Sequence, residues 1–214
     1  MKRTTKISSA VIKRLPRYRR YLYELKRKGV EKISSKEFSE IIGYTASQIR
    51  QDLNNFGGFG QQGYGYSVEG LYNEISGILG LDKNYKMVLV GAGNLGTAIA
   101  NYIASYKGGF EMCAAFDVKK ELIGKDMNGY KILDNDDLVD YVEDNKIDIG
   151  IICVNKENAD RLTFAGVKGI WNFAPLDLEV PERVAVENVH LSDSLHSLAY
   201  HIKDIEKTNS KKTK

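Results

Sequence analysis

The sequence predicts an α/β protein with two domains and a C-terminal helix, on the strength of three observations. The first 70 residues carry 14 Lys and Arg but 6 Asp and Glu, a net charge of +8, whereas the rest of the chain is acidic. In the basic part, helical periodicity is followed by a glycine-rich segment. In the acidic part, short apolar strands alternate with amphipathic helices, which is typical of a parallel sheet covered on both faces. We expect a winged helix-turn-helix domain over residues 1–80, a Rossmann-type doubly wound parallel sheet over residues 81–190, and a helix with its tail over residues 191–214.

The composition narrows the class of protein. A hydrophobic fraction of 43% with 28% charged residues is typical of a soluble globular protein with a substantial core. The apolar runs are far shorter than the roughly 20 residues of a membrane span, and the basic start has no apolar segment of the kind found in signal peptides. Cys113 and Cys153 lie in apolar, strand-like stretches and are interpreted as buried strand residues rather than as a disulfide or metal site. We expect a cytoplasmic protein with no metal and no membrane partner.

The charge asymmetry has two interpretations. A basic first third attached to an acidic remainder favours a polyanionic partner such as nucleic acid for the first domain. A solvated, lysine-rich helix would produce the same asymmetry without any partner. Charge alone does not choose between them.

Two predicted helices open the basic part. Residues 12–28 place apolar side chains on one helical stripe with Arg and Lys opposite, and Gly29 ends this helix. Ser34-Ser35-Lys36-Glu37 is a capping box that starts a short helix, Ser35–Ile42. The side chains expected to face inward from the short helix are Phe38, Ile41 and Ile42.

A tight turn and a third helix complete the predicted DNA-binding motif. Gly43 supplies the turn, and a second capping box begins at Thr45. The third helix is expected to run to about Asn55. A short helix, a three-residue turn and another helix form the helix-turn-helix pattern, in which the last helix enters the major groove of DNA.

Residues 56–66, with the sequence FGGFGQQGYGY, are unusual. Five glycines among eleven residues disfavour a helix, whereas four aromatic residues favour extended structure. A glycine-tipped β-hairpin at this place would be the wing of a winged helix. The alternative is a flexible linker, although linkers seldom carry aromatic residues at this density. A fourth helix over residues 67–79, ended by Gly80, leads out of the domain.

Strands and helices alternate after residue 85. The predicted strands are residues 86–90, 110–116, 131–133, 148–154 and 169–173, and the predicted helices are residues 95–105, 135–145 and 158–165. Ser192 can cap a final helix that carries Leu195, Leu198, Ala199, Ile202 and Ile205 on one face. The tail from residue 207 is polar and is expected to fray.

A glycine motif lies between the first predicted strand of the second domain and the helix that follows. In this GxGxxG pattern, Gly91 makes the tight turn, Gly93 lets the backbone approach a pyrophosphate, and Gly96 permits close packing of helix and strand. The amides at the start of the helix can then bind phosphate. The alternative is a purely structural glycine turn.

Asp117 strengthens the dinucleotide interpretation. It ends the next predicted strand, 21 residues after Gly96. A carboxylate at this position can accept hydrogen bonds from the adenosine ribose and would repel a 2′-phosphate, which favours NAD(H) over NADP(H). The sequence therefore predicts NADH or NAD⁺ as the ligand.

No catalytic residues are evident in the sequence. A dehydrogenase needs a positioned acid or base, and the only histidines are His190, His196 and His201 near the C-terminus. These fit surface or interface positions better than a catalytic or metal site. The chain after the sheet is also too short for a separate substrate domain. We expect a protein that is not an enzyme.

Together these motifs resemble the Rex family of redox-sensing bacterial transcriptional repressors, in particular its clostridial members. The resemblance runs from about residue 9 to about residue 202. It is carried by residues 45–53 (TASQIRQDL), residues 56–66, the glycine loop, residues 171–175 (WNFAP), Val180-Pro181 and residues 187–189 (ENV).

The resemblance implies a homodimer that binds an inverted-repeat operator in double-stranded DNA and senses the ratio of NADH to NAD⁺. The oxidised or ligand-free form would repress, and NADH would release the DNA. The resemblance also implies that the C-terminal helix is swapped between subunits. Tyr102 matches a tyrosine near the nicotinamide ring, and Arg20 matches an arginine that couples the two domains, with His190 in the place of its expected partner.

The resemblance also implies which residues bind each ligand. Arg50 and Gln51 would enter the major groove, and Gln61 and Gln62 at the tip of the wing would enter the minor groove. The full set of expected DNA-binding residues is Thr45, Ser47, Gln48, Arg50, Gln51, Asn54, Gln61, Gln62 and Tyr64. The expected cofactor-binding residues are Gly91, Ala92, Gly93, Asn94, Leu95, Gly96, Tyr102 and Asp117.

Three positions depart from the family pattern. Many relatives have Lys where this chain has Gln51, and Arg where it has Gln62. Losing two cations weakens phosphate binding and changes base preference, since glutamine suits adenine and lysine suits guanine. Some relatives have Asp where this chain has His190, which cannot form a carboxylate–guanidinium pair with Arg20.

Three hypotheses follow. The first is a repressor with NADH as its effector. The second is an NAD-dependent oxidoreductase whose basic N-terminus is a dimerisation arm, but such an arm has no use for the sequence of residues 56–66. The third is a sensor of another adenine nucleotide that uses the same glycine loop, which only ligand titration would separate from the first.

Overall fold

The computed structural model describes residues 7–56, 65–106, 108–154 and 156–212. The chain forms two compact units, Met1–Lys83 and Asn84–Lys214. Each unit has its own apolar core. The division therefore falls a few residues after the predicted end of the first domain, and the C-terminal helix belongs to the second unit.

The first unit is a small helical domain with a two-stranded sheet. Its helices are α1 (Ser9–Arg27), α2 (Ser35–Ile42), α3 (Ala46–Asn54) and α4 (Val68–Ile78), and its strands are β1 (Lys32–Ile33) and β2 (Tyr66–Ser67). The strands pair antiparallel. All four helices contribute side chains to one core, whose fully buried members include Leu15, Tyr18, Leu22, Phe38, Ile42, Ile49 and Ile75.

Local signals explain where α2 and α3 begin. The Ser34 side chain accepts a hydrogen bond from the Glu37 amide at 3.1 Å, and the Glu37 carboxylate accepts one from the Ser34 amide at 2.8 Å, so the predicted capping box is confirmed. Gly43 adopts a left-handed conformation with φ of 72° and ends α2. Thr45 caps α3 by accepting from the Gln48 amide at 3.1 Å.

Two details of the first unit differ from the prediction. Ile41 was expected to face inward but is 43% exposed, because α2 has only two turns and Phe38 and Ile42 already form its buried stripe. The tip of the predicted wing, residues 57–64, lies outside the described residues. Tyr66, the last residue of the predicted wing, forms β2 together with Ser67, which was expected to begin the fourth helix. β2 pairs with the unpredicted strand β1.

The second unit is built around a seven-stranded sheet with strand order β5-β6-β4-β3-β7-β8-β9. Every neighbouring pair is parallel except β5 and β6, which confirms the predicted parallel sheet. The strands are β3 (Tyr85–Val90), β4 (Phe110–Asp117), β5 (Asp126–Met127), β6 (Tyr130–Asp134), β7 (Ile149–Ile152), β8 (Gly169–Asn172) and β9 (Ala185–Asn188). Because the chain leaves β3 for β4 on one side and reaches β7 on the other, the strand order reverses at β3, where ligands bind in folds of this class.

Helices cover both faces of this sheet. Val88 and Val90 point to a core that includes residues of α6 (Leu138–Asn145) and α7 (Glu157–Phe164). Met87 and Leu89, the alternate residues of β3, enter the opposite core with α5 (Asn94–Ser105). This period of two is that of a strand buried on both faces. The predicted helix over residues 135–145 begins instead with a 3₁₀ turn, Asn135–Asp137.

The last helix, α8 (Leu191–Lys212), begins one residue before the predicted cap at Ser192 and continues through the tail that was expected to fray. All residues from 191 to 210 are exposed. They include the predicted apolar residues Leu195, Leu198, Ile202 and Ile205. Within a single chain, α8 therefore leaves its apolar side chains in water.

Both cysteines are free. Cys113 lies in β4, but Cys153 lies one residue beyond the end of β7, and both are half-buried rather than fully buried as predicted. Burial raises the pKa of Cys153 to about 11, so its thiol stays protonated at neutral pH. Among the helices of the described ranges, none is both long and apolar enough to cross a membrane.

Candidate functional site

The glycine loop connects β3 to α5 at the carboxyl end of the central strand. Gly91 has φ of +102°, and a Cβ atom there would lie 2.5 Å from Cγ1 of Val154. A Cβ atom on Gly96 would overlap the carbonyl oxygen of Gly91. Glycine is therefore required at both positions, at the first for the turn and at the second for the close approach of helix and strand.

Gly93 differs from its two neighbours in the motif. Its φ of −72° is open to any residue, and a Cβ atom placed on it would have no described atom within 4 Å. It is the N-cap residue of α5, which receives no side-chain cap from the described residues. The space beside Gly93 is thus open at the N-terminal, positive end of the α5 helix dipole, an arrangement that suits a pyrophosphate.

Asp117 and the glycine loop are joined directly. Asp117 is the last residue of β4 and is 8% exposed. Its Oδ2 accepts a hydrogen bond from the Ala92 amide at 2.8 Å, and its Oδ1 accepts one from the Lys119 amide at 2.9 Å. Each carboxylate oxygen keeps a second lone pair. Asp117 can therefore fix the loop and accept from ribose hydroxyls at the same time, and the first of these roles was not foreseen from the sequence.

Tyr102 lies further along α5 and is 54% exposed. Its ring stacks on Tyr106 with 5.6 Å between centroids. Both rings line an apolar groove of about 450 Å³ against one face of the sheet, together with Ile149, Trp171 and Val186. Ile149 and Val186 lie in the first halves of their strands and Trp171 is the third of four residues in β8, whereas the glycine loop follows the last residue of β3. Within one chain, the structure does not bring Tyr102 to the glycine loop.

The predicted DNA-binding residues of α3 form one exposed surface. Thr45, Ser47, Arg50, Gln51 and Asn54 are exposed and Gln48 is half-buried. The opposite side of the helix, Ile49, Asp52 and Leu53, is buried. The Nη1 atom of Arg50 donates to the Ser35 hydroxyl at 2.8 Å, which leaves other guanidinium donors free. Gln61, Gln62 and Tyr64 lie outside the described residues.

Sequence reasoning missed the residue that holds α3 in place. Asp52 is 2% exposed and accepts hydrogen bonds from Nε and Nη2 of Arg14 at 2.6 and 2.7 Å and from the Tyr18 hydroxyl at 2.6 Å. Burial alone would raise the pKa of Asp52, but these hydrogen bonds and the charge of Arg14 more than offset that effect and lower it. The available signal was an acidic residue on the apolar stripe of α3, which needs a cation if it is to be buried.

The two predicted coupling residues lie in different units. Arg20 is exposed on α1 with its guanidinium 5.4 Å from the ring centroid of Tyr21. Nε2 of His190 lies 2.9 Å from Oδ1 of Asp177. Asp177, which was not singled out in the sequence, thus places a carboxylate beside His190.

No metal centre is evident in the part of the chain that the structure describes. There, no group of three or more His, Cys, Asp and Glu side chains could hold an ion.

Comparison with known families matches both units separately. Residues 6–54 match the family model "Putative DNA-binding protein N-terminus". Residues 82–176 match the family model "CoA binding domain".

Comparison with whole proteins identifies the family. A redox-sensing transcriptional repressor, Rex, of Clostridioides difficile is 58% identical over 202 residues, which cover 92% of this chain and 96% of the relative. RSP is a Rex-family repressor of known crystal structure. Its complex with NAD⁺ and operator DNA superposes on this chain with a TM-score of 0.88 at 54% identity, over 98% of this chain and 99% of RSP. RSP in complex with NADH matches equally well, at a TM-score of 0.88 and 52% identity over 96% and 99% of the two chains. On identity and coverage of this extent, the chain belongs to the Rex family of redox-sensing transcriptional repressors.

Proposed function

We propose that this chain is a repressor that binds an inverted-repeat operator as a homodimer and is released from it by NADH, so that it responds to the ratio of NADH to NAD⁺. The observation that carries the proposal is the presence in one chain of an exposed recognition helix and an open glycine loop fixed by Asp117. Relatives in this family are repressors, not enzymes, which confirms that no catalytic residues are to be expected. The oxidoreductase alternative is therefore not retained. The proposed repressor acts in the cytoplasm, where bacterial operator DNA and the NADH pool are found.

DNA binding uses the exposed side of α3. Arg50 and Gln51 reach base edges in the major groove, flanked by Thr45, Ser47, Gln48 and Asn54, while Gln61, Gln62 and Tyr64 of the wing approach the minor groove. The hydrogen bond from Arg50 to Ser35 supports this, because it orients the guanidinium and still leaves donors for a guanine. Gln51 favours adenine at the base pair that it reads.

NADH binds across the carboxyl edge of the sheet. The pyrophosphate lies against Gly93 and the first amides of α5, and the adenosine ribose lies against Asp117. Ala92, Asn94 and Leu95 complete the loop around the phosphates. Supporting this placement, the space in front of Gly93 is open and the Asp117 carboxylate touches the loop.

The dimer forms through α8. Leu195, Leu198, Ile202 and Ile205 are exposed along one side of this helix. Burying apolar surface yields about 25 cal/mol per Å², so four such side chains favour a partner surface. We infer that the partner surface belongs to a second copy, with α8 exchanged between subunits.

The response to redox state must come from the nicotinamide end of the ligand. NADH and NAD⁺ have the same phosphates and riboses, so the glycine loop and Asp117 bind them alike. The oxidised ring is positively charged and the reduced ring is neutral, and a ligand shifts a two-state protein only by its differential affinity for the two states. Moving a population from 1:99 to 99:1 requires a preference of roughly 10⁴-fold, about 5.5 kcal/mol, which two sites in a dimer can share.

Tyr102, Arg20 and His190 are the residues that we assign to this response. Within one chain, the Tyr102 ring lines the apolar groove and not the glycine loop. We therefore assign its place near the nicotinamide ring to the assembled dimer. Arg20 pairs with the region of His190 in one of the two docking states. Nε2 of His190 lies 2.9 Å from Oδ1 of Asp177, so the region that we assign to coupling contains a carboxylate.

The test is a titration of the purified chain on a labelled duplex that the protein itself selects from a random library. Fluorescence anisotropy follows DNA release by NADH and by NAD⁺ in parallel, with ADP-ribose as a control that lacks the nicotinamide. We expect NADH to release the duplex at concentrations at which NAD⁺ and ADP-ribose do not. Equal release by ADP-ribose and NADH would reject redox sensing, and selection of no duplex would reject the repressor itself.

A further inference from the structure

The seven basic side chains of α1 divide into two groups. Four have partners: Arg14 pairs with Asp52, Arg19 donates to Tyr72 and Ser76, Lys26 pairs with Glu69, and Arg27 lies 3.9 Å from Glu24. The other three are Lys13, Arg17 and Arg20, for which no carboxylate partner exists among the residues described. Spacings of four and three residues place these three on the same exposed side of the helix.

Arg17 is the member of this side whose guanidinium lies near two aromatic rings. Its Cζ atom lies 5.1 Å from the ring centroid of Tyr44 and 6.0 Å from that of Tyr21. Tyr44 is itself held by an edge contact with the buried Tyr18, at 5.8 Å between centroids. A cation over an aromatic ring uses the face of the guanidinium and leaves its N–H groups, which lie in the plane, available to a ligand.

The place where Arg17 is held is the turn of the helix-turn-helix motif. Nη2 of Arg17 would lie 3.8 Å from a Cβ atom on Gly43, the residue that ends α2. Tyr44 immediately precedes Thr45, the cap of α3. When a recognition helix enters the major groove with its N-terminal end, the turn before it lies at the edge of the groove, where the phosphates are.

We propose that Arg17, held against Tyr44, is a phosphate-binding residue of the DNA interface and contacts the sugar–phosphate backbone rather than a base. Each bound subunit thereby contacts one phosphodiester group in its own half of the double-stranded operator. The guanidinium is planar and presents two parallel N–H donors, which can bind two oxygens of one phosphate. This inference rests on the proposed function, and it adds a cation to an interface from which Gln51 and Gln62 remove two.

The experiment compares Arg17→Ala with the wild-type chain on two labelled duplexes, the selected operator and a scrambled sequence of the same length, at several salt concentrations. Each phosphate contact contributes about 0.9 to the slope of log affinity against log salt concentration. We expect Arg17→Ala to lower that slope by about 0.9 for each bound subunit. The affinity for both duplexes should fall by the same factor. Arg17→Lys, which keeps the charge, should restore most of the slope.

A matched control comes from the same helix. Arg27→Ala removes an equal charge ten residues away, about 15 Å along α1, next to Glu24. Its slope should equal that of the wild type. An unchanged slope for Arg17→Ala, or an equal reduction for Arg27→Ala, would overturn the phosphate site.

The role of Tyr44 is tested in a second background. Tyr44→Leu keeps an apolar side chain in the core and removes the ring, and circular dichroism verifies that the variant is folded. Arg17→Ala should cost less DNA affinity in this background than in the wild type, because Arg17 is no longer held there. Equal costs in the two backgrounds would contradict the aromatic support.

The outcome is separable from that of the proposed function. If Arg17→Ala changes nothing but Arg50→Ala abolishes the preference for the operator, the repressor stands and the phosphate site fails. If the wild-type chain prefers no duplex, the proposed function itself fails.

Discussion

Asp52 of α3 accepts hydrogen bonds from both N–H donors of one edge of the Arg14 guanidinium, at 2.6 and 2.7 Å, and so joins α3 to α1 beneath the surface that we propose binds DNA. The Tyr18 hydroxyl donates to the same carboxylate. The orientation of α3 is thereby fixed by a charged, directional contact as well as by apolar packing, which prepares its outer side for binding.

Removing this carboxylate should destabilise the first unit alone. Asp52→Ala leaves a half-buried guanidinium without its partner, and the loss in the free energy of unfolding should be about 3 kcal/mol. Urea unfolding followed by far-UV circular dichroism measures it. The single tryptophan, Trp171, belongs to the second unit, so its fluorescence transition should stay in place. Glu69→Ala, which breaks the exposed pair between Glu69 and Lys26, should change the free energy of unfolding much less than Asp52→Ala does.

The same contact predicts a pH dependence in acid. Because the pKa of Asp52 is lowered in the folded state, its stabilising contribution is present above the ordinary aspartate value of about 3.9 and is lost as the pH falls through the folded value. The urea midpoint of the first unit should therefore drop below about pH 4. Asp52→Asn should show a lower midpoint at neutral pH and a weaker fall in acid. Parallel curves for the two proteins would assign the acid effect to other groups.

The contact also predicts an alkaline limit. Burial, followed by the hydrogen bond to Asp52, raises the pKa of Tyr18 well above its ordinary value. A raised pKa means that the folded state holds the phenolic proton more tightly, so stability is lost as the pH rises beyond about 10. Tyr18→Phe should have a lower free energy of unfolding than the wild type at neutral pH. Between about pH 9 and pH 11, within roughly one unit of the ordinary tyrosine pKa, the variant should lose less stability than the wild type. Circular dichroism at fixed urea measures the difference.

Arg50 should carry sequence preference. If it pairs with a guanine, Arg50→Ala costs roughly 1–3 kcal/mol on the operator and little on a scrambled duplex. Gln51→Lys should shift the preferred base from adenine toward guanine rather than abolish binding. Selection of operators by each variant measures both effects. Unchanged operator affinity for Arg50→Ala at fixed salt would place another element in the groove.

Two glycines of the loop, Gly93 and Gly96, should respond differently to alanine. Gly93→Ala adds a methyl group in open space at an ordinary φ, so the chain should fold normally but bind NADH at least about tenfold more weakly. Gly96→Ala forces its Cβ atom against the carbonyl of Gly91 and should destabilise the second unit. Gly77→Ala in α4 is the control, because a Cβ atom on Gly77 would meet no described atom within 4 Å. It should weaken neither NADH binding nor the stability of the second unit. Calorimetric titration with NADH and Trp171 fluorescence separate binding from folding.

Tyr102→Ala should uncouple the ligand from DNA release. The variant keeps α3 and the glycine loop, so it should bind the operator with the wild-type affinity and still bind NADH. Its release from DNA should require a higher NADH concentration, because it has lost the ring assigned to the nicotinamide end. Release at the wild-type NADH concentration would show that Tyr102 is only part of the apolar side of α5.

The features that sequence predicted well are those determined by local chemistry. The capping box at Ser34 and Glu37, the left-handed Gly43 and the glycine loop depend on residues a few positions apart, so their signals are contiguous. The strand β9 was missed because it is four residues long, lies at the edge of the sheet and has no continuous apolar run. β1 and β5, with two residues each, are too short to have a period.

The contacts within the sites were less accessible to sequence reasoning. Asp117 was expected to face the ribose, but its bond to the Ala92 amide depends on the distance between two loops at the ends of neighbouring strands. The pairing of Arg14 with Asp52 spans 38 residues. In both cases the residue types were visible, and only the tertiary fold gives them their partners.

If α8 is exchanged between two subunits, as we propose, the concentration of the protein in the cell determines how much of it is assembled. A 22-residue segment that buries none of its described side chains has little reason to stay helical on its own, since most of the stability of a protein helix comes from the packing of its apolar face. Its order then depends by mass action on finding a second copy. A cell that synthesises few copies would hold monomers with an unstructured end and no paired recognition helices, so the level of expression would set a threshold for repression before any nucleotide binds.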